Sequence, residues 1–170
     1  MTPYVALLRG VNVGGRLLKM QELKRIALEL GLKDPRTYIA SGNLLFESTK
    51  SEPALKRDFE AALEAHFGRA VGVMIRTGPE LAKTVALNPF ADCRGSSVAA
   101  IFLDDEPPLD AATKALNIND ERLALGRREI YVHYPSGMGR SKLRIPAAKA
   151  GTARNMNTVA KLADLAMEKA

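Results

Sequence analysis

The chain has 170 residues, 46% of them hydrophobic and 26% charged, with 25 basic and 19 acidic side chains and a formal net charge of +6. That length suits one large domain or two small ones, and the apolar fraction is enough for a packed core, which argues against disorder. A single cysteine (Cys93) and two distant histidines (His66 and His133) exclude an intramolecular disulfide and argue against a metal site, while the absence of Trp and 5% aromatic content leave little for stacking single-stranded nucleic acid.

Tyr4–Leu8 is apolar throughout and reads as a buried strand, ended by the sequence RGVNVGGR. Met20, Leu23, Ile26, Ala27 and Leu30 recur at helical spacing, and Gly31 stops the helix. Arg36–Ala40 is rich in β-formers, Ser41-Gly42-Asn43 is turn chemistry, and Leu44–Glu47 returns as a strand, which predicts a hairpin. Ser51 caps a second helix whose apolar stripe is Leu55, Phe59, Leu63 and Phe67. Val71–Arg76 closes the unit. The order is β-α-β-β-α-β, a ferredoxin-like split βαβ, with Leu7, Leu23, Ile26, Leu45, Phe59, Leu63 and Val73 expected in its core.

Thr77 and Glu80 have the spacing of a capping box and start a linking helix to about Leu87, which Asn88-Pro89 ends. Val98–Leu103 reads as a strand, DDEPPLDAATKALN as a short helix, and Arg122–Leu125 with Glu129–Tyr134 as a hairpin. A short helix is expected from Ile145 to Gly151. The last helix carries Met156, Val159, Leu162, Ala163 and Leu165 on one side. The expected fold class is α+β, with two tandem ferredoxin-like units, the second degenerate. The expected domains are residues 1–77, a linking helix and loop over 78–97, and a second unit over 98–170.

The sequences YVALLRGVNVGG, RTYIASGNLLF, GRSKL and TARNMNTVAKLADLA resemble a bacterial family catalogued as domain of unknown function 1697. The four stretches run from one end of the chain to the other, so the resemblance is full-length. It implies two ferredoxin-like units and no particular activity or substrate. The family usually has Trp where this chain has Met156; both are large and apolar, which points to packing at that position.

Charge is concentrated late in the chain. From Arg122 to Arg154 there are eight basic residues and one acid, Glu129, a net +7 in 33 residues. Within it lie PSGMGRSK and GTARNMNT, where backbone N–H groups and basic side chains could surround an anion. The candidate anion-binding residues there are Gly137, Gly139, Arg140, Ser141, Lys142, Thr152, Arg154 and Asn155. Near the N-terminus, Arg9, Asn12, Gly14 and Gly15 form a second Gly-rich loop before a helix. Neither loop has the spacing of a dinucleotide fingerprint or a phosphate-binding Walker loop. Ser41–Asn43 is most simply a turn, no acid pair stands out, and Asp104-Asp105-Glu106 reads as a solvated loop.

The expected function is a binding module for a phosphate-bearing ligand, a nucleotide or nucleic acid. One alternative is an enzyme acting on a small anionic substrate through Ser141, Lys142 or His133. Another is an interaction protein whose basic face meets an acidic partner. No cofactor or metal is expected. With no signal peptide and no apolar run near the roughly 20 residues of a membrane helix, a cytoplasmic protein without a membrane partner is expected.

Overall fold

The computed structural model describes residues 1–10, 18–39 and 42–168. It is an α+β chain with two four-stranded antiparallel sheets and four α-helices among the described residues. Contacts divide it into one unit of residues 1–81 with 162–170 and a second of 82–161, so the C-terminal segment belongs with the first unit rather than with the 98–170 unit expected. No helix among the described residues is long and apolar enough to cross a membrane.

The first unit follows the expected order: β1 (Thr2–Leu8), α1 (Met20–Glu29), β2 (Lys33–Thr37), β3 (Asn43–Ser48), α2 (Glu52–Phe67) and β4 (Val73–Thr77). The sheet order is β2-β3-β1-β4, every pairing antiparallel. Local chemistry sets the boundaries. Ser51 Oγ accepts from Ala54 N at 3.4 Å to cap α2, and Gly68 ends that helix in the left-handed region that a side chain resists. Thr77 and Glu80 close the expected capping box, each side chain accepting from the other's backbone N–H at 3.2 and 2.9 Å, and α3 (Gly78–Ala86) starts there.

One face of this sheet and both helices share a core of Tyr4, Ala6, Leu8, Leu44, Phe46 and Ile75 with Leu23, Ile26, Leu55, Phe59 and Leu63. Leu7 and Leu45, expected in that core, alternate onto the opposite face; they are buried there too, as is Arg76. A strand buried on both faces reads as a continuous apolar run, so its sequence does not say which residues share a side. Arg36 of β2 donates from Nη2 to Leu165 O at 3.2 Å, tying the C-terminal helix into this unit.

The second unit holds β5 (Val98–Phe102), β6 (Arg122–Leu125), β7 (Glu129–His133) and β8 (Thr152–Asn155), in the order β6-β7-β5-β8; β8 leads directly into α4 (Met156–Met167). Three expectations fail here. The helix expected in DDEPPLDAATKALN is a run of turns over residues 109–114. Its segment is short, starts at two prolines and meets Asn117 at a positive φ of 60°, too little chain to repay nucleation. The helix expected over Ile145–Gly151 is a single 3-10 turn at Pro146–Ala148. Thr152–Asn155, expected from sequence only as part of a polar anion-binding stretch, is the edge strand β8, because pairing with β5 outweighs its weak strand propensity.

One face of this second sheet is therefore covered by irregular chain. Ile101, Ile130 and Val132 pack with Ala111, Leu143, Ile145, Ala147 and Ala148. Gly151 crosses close beneath β5: an added Cβ would stand 2.7 Å from Ile101 Cγ2, 2.9 Å from Leu103 Cδ2 and 3.0 Å from Phe102 O.

Two substitutions test these cores, one in each unit. Phe59 is 0% exposed, with its ring centroid 5.5 Å from that of Phe46, so Phe59→Ala is expected to cost about 3–5 kcal/mol in urea denaturation. A loss below about 1 kcal/mol would contradict the packing of α2. Gly151→Ala is expected to cost about 1–3 kcal/mol by overpacking against the β5 backbone, and an unchanged midpoint would contradict that close approach.

Candidate functional site

The second unit folds its basic loop back onto a polar turn. Leu116 and Arg144 exchange both backbone hydrogen bonds, at 2.7 and 2.9 Å, so two segments distant in sequence run side by side. The positive φ of Asn117, a conformation that Asn tolerates better than most residues, turns the chain into Asn119-Asp120-Glu121. On the other side, Gly137 N donates to Tyr134 O at 3.0 Å and closes a turn that puts Gly137 at a φ of 92°. A short 3-10 turn over Met138–Arg140 follows and delivers Ser141.

Two serines fasten the loop to the turn. Ser136 Oγ donates to Asp120 Oδ2. Ser141 Oγ donates to Glu121 Oε2 at 2.5 Å and accepts from Leu143 N at 3.2 Å. Glu121 Oε1 accepts from Asn119 N at 2.7 Å. Between the segments lies a cavity of about 310 Å³. Asn117, Asn119, Asp120 and Glu121 form one wall; Tyr134, Ser136, Gly137, Arg140, Ser141 and Lys142 form the other.

The walls carry opposite charge. Glu121 is only 8% exposed, and the Ser141 hydroxyl, followed by the Asn119 N–H, holds its carboxyl below the usual carboxylate range. Burial, and secondarily the Glu121 charge, pushes the Tyr134 phenol up, so it stays protonated as a hydrogen-bond donor. Arg140 and Lys142 are exposed and face no ion-pair partner among the described residues. No group of three or more His, Cys, Asp and Glu among the described residues could hold a metal ion.

Of the residues singled out from sequence, Gly137, Arg140, Ser141 and Lys142 line this cavity, with Gly139 in the turn between them. Thr152, Arg154 and Asn155 lie on β8, outside the lining. The Asn155 side chain is committed locally: its Oδ1 accepts from Thr158 N at 2.9 Å and caps α4. Thr152 is 2% exposed, with no hydrogen-bond partner for its hydroxyl among the described residues. Burial pulls the Arg154 guanidinium down to about 10, and its Nη1 donates to Ala153 O at 2.8 Å. Arg9 is exposed at the end of β1 in the first unit, its N–H donating to Gly72 O at 2.9 Å. Asn12, Gly14, Gly15 and Ser41 lie outside the described residues. His133 Nδ1 accepts from Arg122 Nη2 at 3.2 Å, its ring 5.9 Å from Phe90, and it does not line the cavity.

Sequence reasoning missed the acidic wall. Asp120 and Glu121 stand immediately before Arg122, where the basic stretch was taken to begin. The polar run Asn117-Ile118-Asn119-Asp120-Glu121 was the signal available.

The comparisons with known proteins agree with this architecture and are silent about the cavity. The family described as protein of unknown function (DUF1697) matches residues 1–131. The chain belongs to that family. Two of the four stretches that carried the resemblance, GRSKL and TARNMNTVAKLADLA, lie beyond the matched span. A conserved bacterial protein, SP0830 from Streptococcus pneumoniae, has a similar solved structure: 25% identity, 97% of this chain and 98% of that one covered, and a TM-score of 0.79. No curated protein matches.

Glu121 gives the loop contact a pH signature. A carboxyl held below its unfolded value contributes stability that is complete above the ordinary carboxylate range and is lost as pH falls through the depressed value. The melting-temperature advantage of wild type over Glu121→Gln is therefore expected to shrink between about pH 7 and about pH 3. A difference that stays constant over that range would show that the ionised carboxylate contributes nothing.

Proposed function

We propose that this member of the family is a binding module for a small phosphate-bearing ligand, held between the 117–121 turn and the 134–142 loop. It would be carried on two ferredoxin-like units, a reading supported by the same strand order and antiparallel pairing in both sheets. The observation that carries the functional reading is that Arg140 and Lys142, two cations without ion-pair partners among the described residues, border a cavity large enough for a small molecule. Arg140 and Lys142 would neutralise the phosphate. Asp120, Asn117 and Asn119 would meet polar groups on the rest of the ligand.

The acidic wall favours a small ligand over a nucleic acid. A polyanionic strand crossing the loop would bring its phosphates past Asp120 and Glu121, and like charges oppose that. Catalysis by Ser141 finds less support. Its proton is directed at a carboxylate held below the usual range, and a weakened base activates a hydroxyl poorly. His133, the other candidate base, bonds to Arg122 instead.

The experiment is a thermal-shift screen of sugar phosphates, nucleotides and short oligonucleotides, followed by calorimetric titration of each hit. A ligand present at about 100 times its dissociation constant stabilises by about 2.7 kcal/mol. Lys142→Glu is expected to abolish binding while leaving the melting temperature of the free protein nearly unchanged, because an exposed charge contributes little to stability. Unaltered affinity in Lys142→Glu would move the site elsewhere, and steep loss of oligonucleotide binding with added salt would favour nucleic acid.

A further inference from the structure

We infer that the ligand of this cavity is a sugar monophosphate, recognised at its hydroxyl groups by Asp120 and at its phosphate by Arg140 and Lys142. The inference rests on the phosphate-binding reading above and adds what the other end of the molecule must be.

The first argument is a count of unused polar groups. Ser141 and Asn119 already engage the two oxygens of Glu121. Asp120 accepts from Ser136 on Oδ2, which leaves Oδ1 open among the described residues. The carboxamides of Asn117 and Asn119 and the Tyr134 hydroxyl make no hydrogen bond within the described structure, and all three residues line the cavity. A carboxylate only accepts; a carboxamide donates and accepts; a phenol does either. Neighbouring hydroxyls on a sugar offer a donor and an acceptor at each carbon, which suits a carboxylate beside amides. Inorganic phosphate can offer Asp120 a P–OH donor, but it has no neighbouring alcohols for the amides and the phenol.

The chain itself supplies a second argument. Both carboxylates of this wall are engaged by alcohols, the hydroxyls of Ser136 and Ser141, so the geometry that recognises an alcohol exists within the fold. Size supplies the third. A cavity of about 310 Å³ is of the size that takes a small molecule, and a pentose or hexose phosphate falls in that class.

The test is calorimetric titration of the full chain with ribose 5-phosphate, 2-deoxyribose 5-phosphate, inorganic phosphate and AMP. Ribose 5-phosphate is expected to bind at least tenfold more tightly than its 2-deoxy analogue and than inorganic phosphate, and no more weakly than AMP. Asp120→Asn, confirmed as folded by its melting curve, is expected to bring the two sugar phosphates within about twofold of each other. Equal affinity of wild type for all phosphate compounds, or a clear preference for AMP, would overturn the sugar assignment and leave phosphate binding standing. Binding of none of the four would overturn both.

Discussion

The second unit depends on one contact, the joining of two chain segments around Leu116 and Arg144. The backbone pair brings the 117–121 turn alongside the 134–142 loop, and the hydroxyls of Ser136 and Ser141 then reach Asp120 and Glu121 across 16 and 20 residues of sequence. Without that pairing the loop is a string of Gly, Ser and basic residues with no wall to face. With it, a shallow surface becomes a cavity. The interaction is small in energy, a few hydrogen bonds of roughly 1 kcal/mol each, somewhat more where a charge takes part. Its effect on shape is large because the loop has so few other constraints.

The same contact changes the meaning of the basic stretch. Counted from Arg122, the net charge is +7; begun two residues earlier, at Asp120, it is +5, and the two added acids face the loop. A uniform positive patch would attract any polyanion. On the binding reading proposed above, walls of opposite sign would select a molecule that is itself divided, acidic at one end and rich in hydrogen-bond donors at the other. The arrangement also keeps Ser141 occupied, its hydroxyl donating a hydrogen bond to Glu121 and accepting one from Leu143 N, which suits a structural fastener better than a nucleophile.

Much of the first unit was legible in the sequence because its signals were local. Ser51, Gly68, Thr77 and Glu80 act on backbone groups a few residues away, and the stripe Leu55, Phe59, Leu63 states the buried face of α2 directly. The faces of β1 were not legible, since both sides are buried and no alternation survives. In the second unit the missing information was non-local. Thr152–Asn155 is a strand only because β5 lies beside it, and the turns over 109–114 replace a helix whose local signals were weak. Half of the candidate site announced itself through Gly, Ser and basic residues. The acidic half was hidden by its position, next to Arg122 in sequence but opposite Ser136 and Ser141 in space.

The irregular cover of the second sheet has a consequence for how such a site can vary. Gly137, Arg140, Ser141 and Lys142 border the cavity, and the chain continues without a break into Leu143, Ile145, Ala147 and Ala148, which pack against the core. In a unit covered by helices, a loop can be exchanged while the packed layer beneath stays fixed. Here one stretch of chain performs both tasks, so a change of methyl group at Leu143 or Ile145 is transmitted to the rim only a few residues away. The shape of the cavity and the packing of this unit are thus inherited together, and divergence among related chains at the cavity should be accompanied by compensating change in the layer below it.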